Sequence, residues 1–500
     1  MKSIVISALV LAFALFLFGC EGFPPKNVEL SSEYPSIFPD YTGVTVPVNI
    51  APLNFRASDK SRIRVEFRRR GEIVIACTGD PAIDLPLKKW RELLASCAGN
   101  SFEVQVFQLR KSTSSDPSGG KEVWLKYRPF EIRVSADSID SYLAYRLIAP
   151  GYERWGEMGI YMRRTSDFDE ATVIDNSLAD KGCVNCHAFA DYDAGNFMFH
   201  YRGTNGGTFV LRDGEYFMVD TKTEHAASPG SYPAWHPSGR YIAFACGVTR
   251  QAFHALPGKK IEVYDLESNL MVFKVDEKQA LMEARFNEDS IWETFPSWSP
   301  DGKSLYYCAA EARTMPFEYK DLKYGLYRVD FDPETGKFSA ETDTLIAADT
   351  SGRSISFPRV SPDGKYLMYT ESACATFPIW HPEADLKLME LSTGKELDIS
   401  MINSADTESY HSWSSNGRWI VFSSRRIDGL YTRLFLAYFG RDAVIHKPFL
   451  LPQKSPDFNT SLLKSYNIPE FSRTKPQTSP YEISKSIEGQ RTKLSERMFK

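Results

Sequence analysis

Apolar positions along this chain recur mostly with period two. Ile63, Val65 and Phe67 alternate with Arg64, Glu66 and Arg68, the pattern of a strand with one covered face. The stretches 72–77, 102–109, 122–127 and 130–134 read the same way. One helical pattern interrupts them. Leu87, Trp90, Leu94 and Cys97 fall on one face, Asp84 stands where a cap belongs, and Gly99 marks the end. A β-sandwich-like domain with one helix is predicted over 46–150. Residues 21–45 before it are Pro-rich and polar, as in a tether. Residues 151–182 read as a connecting segment. Within 141–174, Tyr142–Leu147 and Gly159–Arg163 are further strand candidates.

From 183 to 452 the alternation is organised as a repeat. Ser231-Tyr232-Pro233-Ala234-Trp235 is followed by a turn at Gly239 and a second strand. Thr294-Phe295-Pro296-Ser297-Trp298 with Gly302, Ser356-Phe357-Pro358-Arg359-Val360 with Gly364, and Ser409-Tyr410-His411-Ser412-Trp413 with Gly417 repeat it. The turns read Ser-Pro-Asp-Gly or a near variant: Pro sets φ and Gly supplies φ > 0. The glycines are 63, 62 and 53 residues apart, and periods of 40 or more with several strands each indicate propeller blades.

These turns resemble the WD-like repeats of TolB-type propellers. The resemblance covers about 260 residues and implies a mainly β chain, the sandwich-like domain being followed by a five- or six-bladed TolB-like β-propeller. It names no ligand. A weaker copy, Asp193 to His200 with its turn at Gly195, precedes the four. Where the others have the Pro-x-Trp strand or a variant of it, it carries Cys186-His187-Ala188-Phe189. The tail, 453–500, is rich in Ser, Lys and Pro and is expected to wrap the surface or stay disordered.

The chain opens on Lys2, an apolar run from Ile4 to Phe18, and Gly19-Cys20. That run is short for a spanning helix, which needs about 20 residues, and matches the core of a signal peptide. Leu17-Phe18-Gly19-Cys20 resembles a bacterial lipobox, which implies that 1–20 is a lipoprotein signal peptide and that Cys20 is lipidated. The expected location is the bacterial cell envelope on the periplasmic side, with the lipid as membrane anchor. The 59 basic and 64 acidic residues give a net charge of -5, and no basic stripe marks a nucleic-acid footprint.

Cys183-Val184-Asn185-Cys186-His187 is the attachment signature of c-type haem. Two thiols at this spacing can form thioethers to one porphyrin, and the following His is then held under the iron. Half a zinc site and a thioredoxin-like pair share the Cys-x-x-Cys spacing. The resemblance to c-type cytochromes implies one covalently attached haem c, with His187 as proximal iron ligand. For the distal position His200 is the first choice and Met198 the second. They are two apart on one strand and so share a face, and the Gly195 turn folds that strand back beside the motif. His225, His236, His254 and His411 are more distant candidates; His381 and His446 read as structural. Cys77 and Cys97 are the expected disulfide pair, while Cys246, Cys308 and Cys374 read as small buried hydrophobes.

Together these readings describe a lipid-anchored monohaem cytochrome on a propeller, passing electrons to a protein partner. The alternatives are a protein-interaction propeller whose haem is a redox sensor or structural staple, and a haem peroxidase or reductase subunit.

Overall fold

The computed structural model describes residues 25–111, 122–149, 157–256 and 259–499. The signal segment and Cys20 lie outside them. Among the described residues no helix is long and apolar enough to cross a membrane. The chain divides into two compact units. One runs to 138 and adds 166–168 and 449–461; the other comprises 139–165, 169–448 and the chain from 462.

The first unit is sandwich-like. Strands 28–30, 122–126, 101–111, 63–69 and 72–79 lie side by side in that order, and 130–135 pairs with both 101–111 and 45–47. Residues 28–30, expected in a tether, form an edge strand parallel to Trp124–Lys126. Val28, Glu29 and Leu30 are all exposed, so backbone bonding alone holds this strand, and no apolar alternation announces it. Strand Ile63–Arg69 is buried on both faces over its first five residues. Glu66 is clamped there between Arg64 at 3.2 Å and Arg68 at 2.6 Å.

The helix runs Leu87–Ser96 and begins after Pro86, not at Asp84, because a proline disfavours helical geometry in the residue before it. Trp90 is fully buried, and its ring meets Phe67 and Phe102 edge-on at 6.1 and 5.9 Å. No disulfide joins Cys77 to Cys97. Both side chains are buried in this core and act as small hydrophobes.

The second unit is a six-bladed β-propeller. Five of its sheets have an innermost strand that leads into the rest of the blade: Cys183–Ala190, Ser231–Trp235, Ile291–Trp298, Ser354–Val360 and Glu408–Trp413. The sixth is built from both ends of the unit. Tyr142–Ile148, Met158–Arg164 and Glu170–Asp175 supply three strands, and Ser465–Ser472 from the expected tail supplies the innermost. Regular structure continues along that tail as far as Phe499. Helix Pro480–Glu488 carries a full capping box at Ser479 and Glu482 and buries Ile483 and Ile487. Arg491–Lys493 and Ser495–Phe499 then add parallel outer strands to two neighbouring blades.

Within the propeller, Glu293 is 2% exposed and its Oε2 has no hydrogen-bond partner. Burial, reinforced by the nearby Glu288 carboxylate, raises its pKa to about 9. The folded protein therefore holds this proton more tightly than the unfolded chain. The associated stability is complete below the ordinary carboxyl range and drains away as pH climbs toward 9. Glu293→Gln is expected to melt close to wild type near pH 5 and several degrees higher near pH 8.5, a gap that opens by up to about 1.4 kcal/mol per pH unit between the two. Calorimetry at the two pH values tests this; a constant difference would mean that the carboxyl does not titrate there.

Candidate functional site

The innermost strands share a feature that pattern reading missed. Cys186, Tyr232, Phe295, Phe357, Tyr410 and Ile468 all have positive φ, between 45° and 52°. None is glycine, and such a backbone costs about 1–3 kcal/mol at each position. Every one sits at a break in strand register, so a bulge recurs once per blade. The bulges face the propeller axis and form a ring. The readable trace was the aromatic residue before Pro in the repeats, a position where helical geometry is already disfavoured.

Four of these side chains plug the axis. Tyr232 packs on Phe295 at 4.6 Å, Phe295 on Phe357 at 4.1 Å, and Phe357 on Tyr410 at 4.8 Å. The next residue in each blade forms a second ring: Pro233, Pro296, Pro358, His411, Pro469 and His187. Four prolines and two histidines thus occupy equivalent positions. Both rings border one cavity with about 40 Å³ of free volume, room for a few waters. Arg359 and Glu470 also line it, and both extend into a wider mouth of about 330 Å³ bordered by Trp235, Trp298 and Trp413. Trp235 Nε1 donates to Ala188 O, Trp298 Nε1 to Ala234 O, and Trp413 Nε1 to Arg359 O, each at 3.1 Å. Each tryptophan thereby ties its blade to the preceding innermost strand.

The haem-signature residues belong to this ring. Cys183 is half-buried, Cys186 is 2% exposed, and Asn185 Oδ1 accepts from Arg146 Nη1. Burial raises the pKa of the Cys186 thiol. His187 is 2% exposed, and neither of its ring nitrogens has a hydrogen-bond partner. Burial, with Arg146 and Arg359 adding to it, lowers its pKa to about 3, so the imidazole is neutral. Burial raises Glu470 to about 7, against the pull of Arg359. The Arg359 guanidinium acts electrostatically on Glu470, His187 and His411.

The two distal candidates stand differently. His200 lies directly across from Asn185 on the neighbouring strand, and its Nδ1 is 3.1 Å from Thr208 Oγ1. Met198 is fully buried in an apolar cluster with Ala188, Val210, Trp235 and Ile242. Neither lines the axial cavity. Of the other histidines, His225 bonds Glu496, His236 bonds Ser238 and the Gly302 carbonyl, and His381 lies between Glu262 and Glu383. His446 packs on Tyr438 at 5.1 Å, and His254 lies on the long strand Tyr241–Leu256. Only His411 shares the cavity with His187.

The donor types match a haem-attachment set, two thiols at the required spacing and beside them a buried imidazole with both nitrogens unsatisfied, but the 40 Å³ cavity that this imidazole borders does not admit a porphyrin. A buried polar group without a partner costs about 1–3 kcal/mol, and ligation would relieve that cost. Among the described residues no three His, Cys, Asp or Glu side chains converge as a self-sufficient metal site.

No protein-family model matches the chain, and no curated protein matches it. Solved structures do align with it at low identity. Prolyl oligopeptidase B from Galerina marginata is 13% identical over 61% of this chain and 44% of its own, with a TM-score of 0.35. A 6-phosphogluconolactonase-like protein from Bacteroides fragilis is 10% identical over 62% of this chain and 94% of its own, with a TM-score of 0.35. Hydrazine synthase from Kuenenia stuttgartiensis is 10% identical over 63% of this chain and 47% of its own, with a TM-score of 0.40. This chain therefore spans less than half the length of the first and third, and identities this low carry no statement about chemistry.

Proposed function

We propose that this chain is a protein-interaction propeller of the bacterial envelope, held to a membrane by lipid on Cys20. It would carry one haem c on Cys183 and Cys186, with His187 as its proximal iron ligand. The observation that carries this reading is the position of the motif. Cys186-His187 takes the place that aromatic-Pro takes in three other blades, so the residues that would hold the group are also part of the ring that packs the axis. A redox or ligation change at that ring would bear directly on the scaffold, which suits a redox sensor or structural staple. Haem supplies one-electron chemistry when bound. The chain's own part is to supply the thiols, keep His187 neutral and buried, and present propeller faces to a partner.

A second reading, electron transfer to a protein partner, draws on the half-buried Cys183, which would bring one edge of the group toward solvent.

Expression of the full chain with haem-maturation machinery tests the proposal. A haem-stained band that survives denaturing electrophoresis is expected, with complete loss in Cys183→Ser/Cys186→Ser. The stained protein should also melt at higher temperature than the double variant. Equal melting temperatures would favour the electron-transfer reading, and an unstained wild type would sink both.

A further inference from the structure

Glu293 lines a cavity that shares no residue with the axial one. Its volume is about 680 Å³, within the range of small-molecule sites. The cavity lies on the blade built from Ile291–Trp298, Ser304–Glu311, Gly325–Asp332 and Lys337–Ile346, and Phe286, which follows the preceding blade, completes it. Glu293 is 2% exposed, whereas Asp321 and Asp349 line the cavity from exposed positions. Tyr307 and Tyr327 stand directly across from each other in the sheet and stack at 5.8 Å, and Phe286 meets Tyr307 edge-on at 5.3 Å.

The cations of the lining are engaged. Arg285 lies 4.0 Å from the Glu283 carboxylate and donates to the Ser339 and Ala340 carbonyls. Arg313 pairs with Glu311 at 2.9 Å, and Lys323 donates to the Ala373 carbonyl. The carboxyls are not engaged. Glu293 Oε2 has no hydrogen-bond partner, and neither Asp321 nor Asp349 has an ion-pair partner among the described residues. We propose that this cavity binds a small aliphatic diamine, with one ammonium group on Glu293 beside the tyrosine pair and the other on Asp321 and Asp349. Aromatic side chains favour a cation, and a carboxylate makes its strongest hydrogen bonds to a charged donor. An anion would meet three carboxyls instead. Among the described residues no three His, Cys, Asp or Glu side chains converge as a metal ion requires, so the carboxyls suit separate charges on one flexible chain.

Burial, reinforced by Glu288, keeps the Glu293 carboxyl protonated up to about pH 9. Tyr307 and Tyr324, the other ionisable groups it acts on, supply no positive charge. An ammonium group does, and a nearby opposite charge favours the ionised carboxylate, so binding expels the Glu293 proton. Affinity must then rise with pH below 9, by up to about tenfold per unit.

Titration calorimetry of the full chain with 1,4-diaminobutane at pH 6, 7 and 8, in buffers of different ionisation enthalpy, tests the proposal. About one proton released per diamine is expected, with affinity climbing up to about a hundredfold from pH 6 to 8. Glu293→Gln should bind at least about tenfold more weakly at pH 8 and lose both the proton release and the pH dependence. Asp349→Asn changes an exposed position and leaves the buried carboxyl in place. It should weaken binding severalfold while keeping both signatures. 1,4-Butanediol, with hydroxyls for amines, should not compete. No diamine binding, a flat pH profile in wild type, or unchanged binding in Glu293→Gln overturns the proposal. Equal competition by the diol overturns it in favour of a site for uncharged polyols.

Discussion

A chain ending at Ser461 is expected to give no folded propeller, whereas one ending at Gln477 should fold. The difference is Ser465–Ser472, the innermost strand of the blade whose other strands come from the start of the propeller unit. It pairs with Tyr142–Ile148 from end to end, with one bulge. Tyr466 is 1% exposed and packs on Tyr145 at 4.8 Å, and Phe471 is fully buried. Burying two such side chains contributes roughly 3–6 kcal/mol, before the backbone ladder is counted. Arg433 is fully buried and donates to the Leu462 and Lys464 carbonyls at 2.7 and 2.6 Å. Removing the strand would leave that cation with only the Thr432 carbonyl at 3.3 Å, at a cost of several kcal/mol more. The sum approaches the roughly 5–15 kcal/mol that holds a domain together. Far-UV circular dichroism and calorimetry of the two truncations decide the matter. The longer one still loses helix Pro480–Glu488 with Ile483 and Ile487, so it should melt lower than the full chain while remaining cooperative. A shorter chain that melts cooperatively at the wild-type temperature would show that the ring does not depend on its closing strand.

Local pattern disclosed most of this fold, and its omissions share one cause. Four turns at Gly239, Gly302, Gly364 and Gly417 announced four blades, and the copy around Gly195 announced a fifth, because a turn and its two strands are contiguous. The sixth blade was half legible in Tyr142–Leu147 and Gly159–Arg163. Its innermost strand was not, because Ser465–Ser472 is followed by no Pro-Asp-Gly turn and pairs with residues some three hundred positions earlier. Its one trace was Ile468-Pro469, which matches Tyr232-Pro233. Strand 28–30 escaped for a related reason, since backbone pairing with a distant edge leaves no mark on exposed side chains. The site divides the same way. Cys183, Cys186 and His187 stand together in sequence and were read directly. His200 and Met198 were chosen for nearness along the chain, whereas His411 comes to the same cavity through the ring and cannot be placed there by counting residues.

Trp235 is where fold and site meet, and Trp235→Ala is expected to cost about 3–5 kcal/mol, as large-to-small changes of buried tryptophan do. The side chain is 8% exposed and packs in the cluster that contains Ala188, Met198 and Ile242. Its Nε1 donates to the carbonyl of Ala188, the residue that follows His187. The alanine change therefore opens a cavity and also strips a buried carbonyl of its donor. Trp235→Phe separates the two effects: it keeps most of the apolar contact and removes only the hydrogen bond, at about 1–3 kcal/mol. Because that bond fixes the strand next to His187, the phenylalanine variant should also yield less haem-stained protein at equal expression. Trp298→Phe removes the matching bond to Ala234 in the next blade and should leave staining unchanged. If both variants lose stability equally and neither alters staining, the tryptophans are blade wedges only. Loss of staining confined to Trp235→Phe means that the orientation of His187 is set from the neighbouring blade, and that the propeller's packing and its cofactor chemistry are coupled through a single backbone carbonyl.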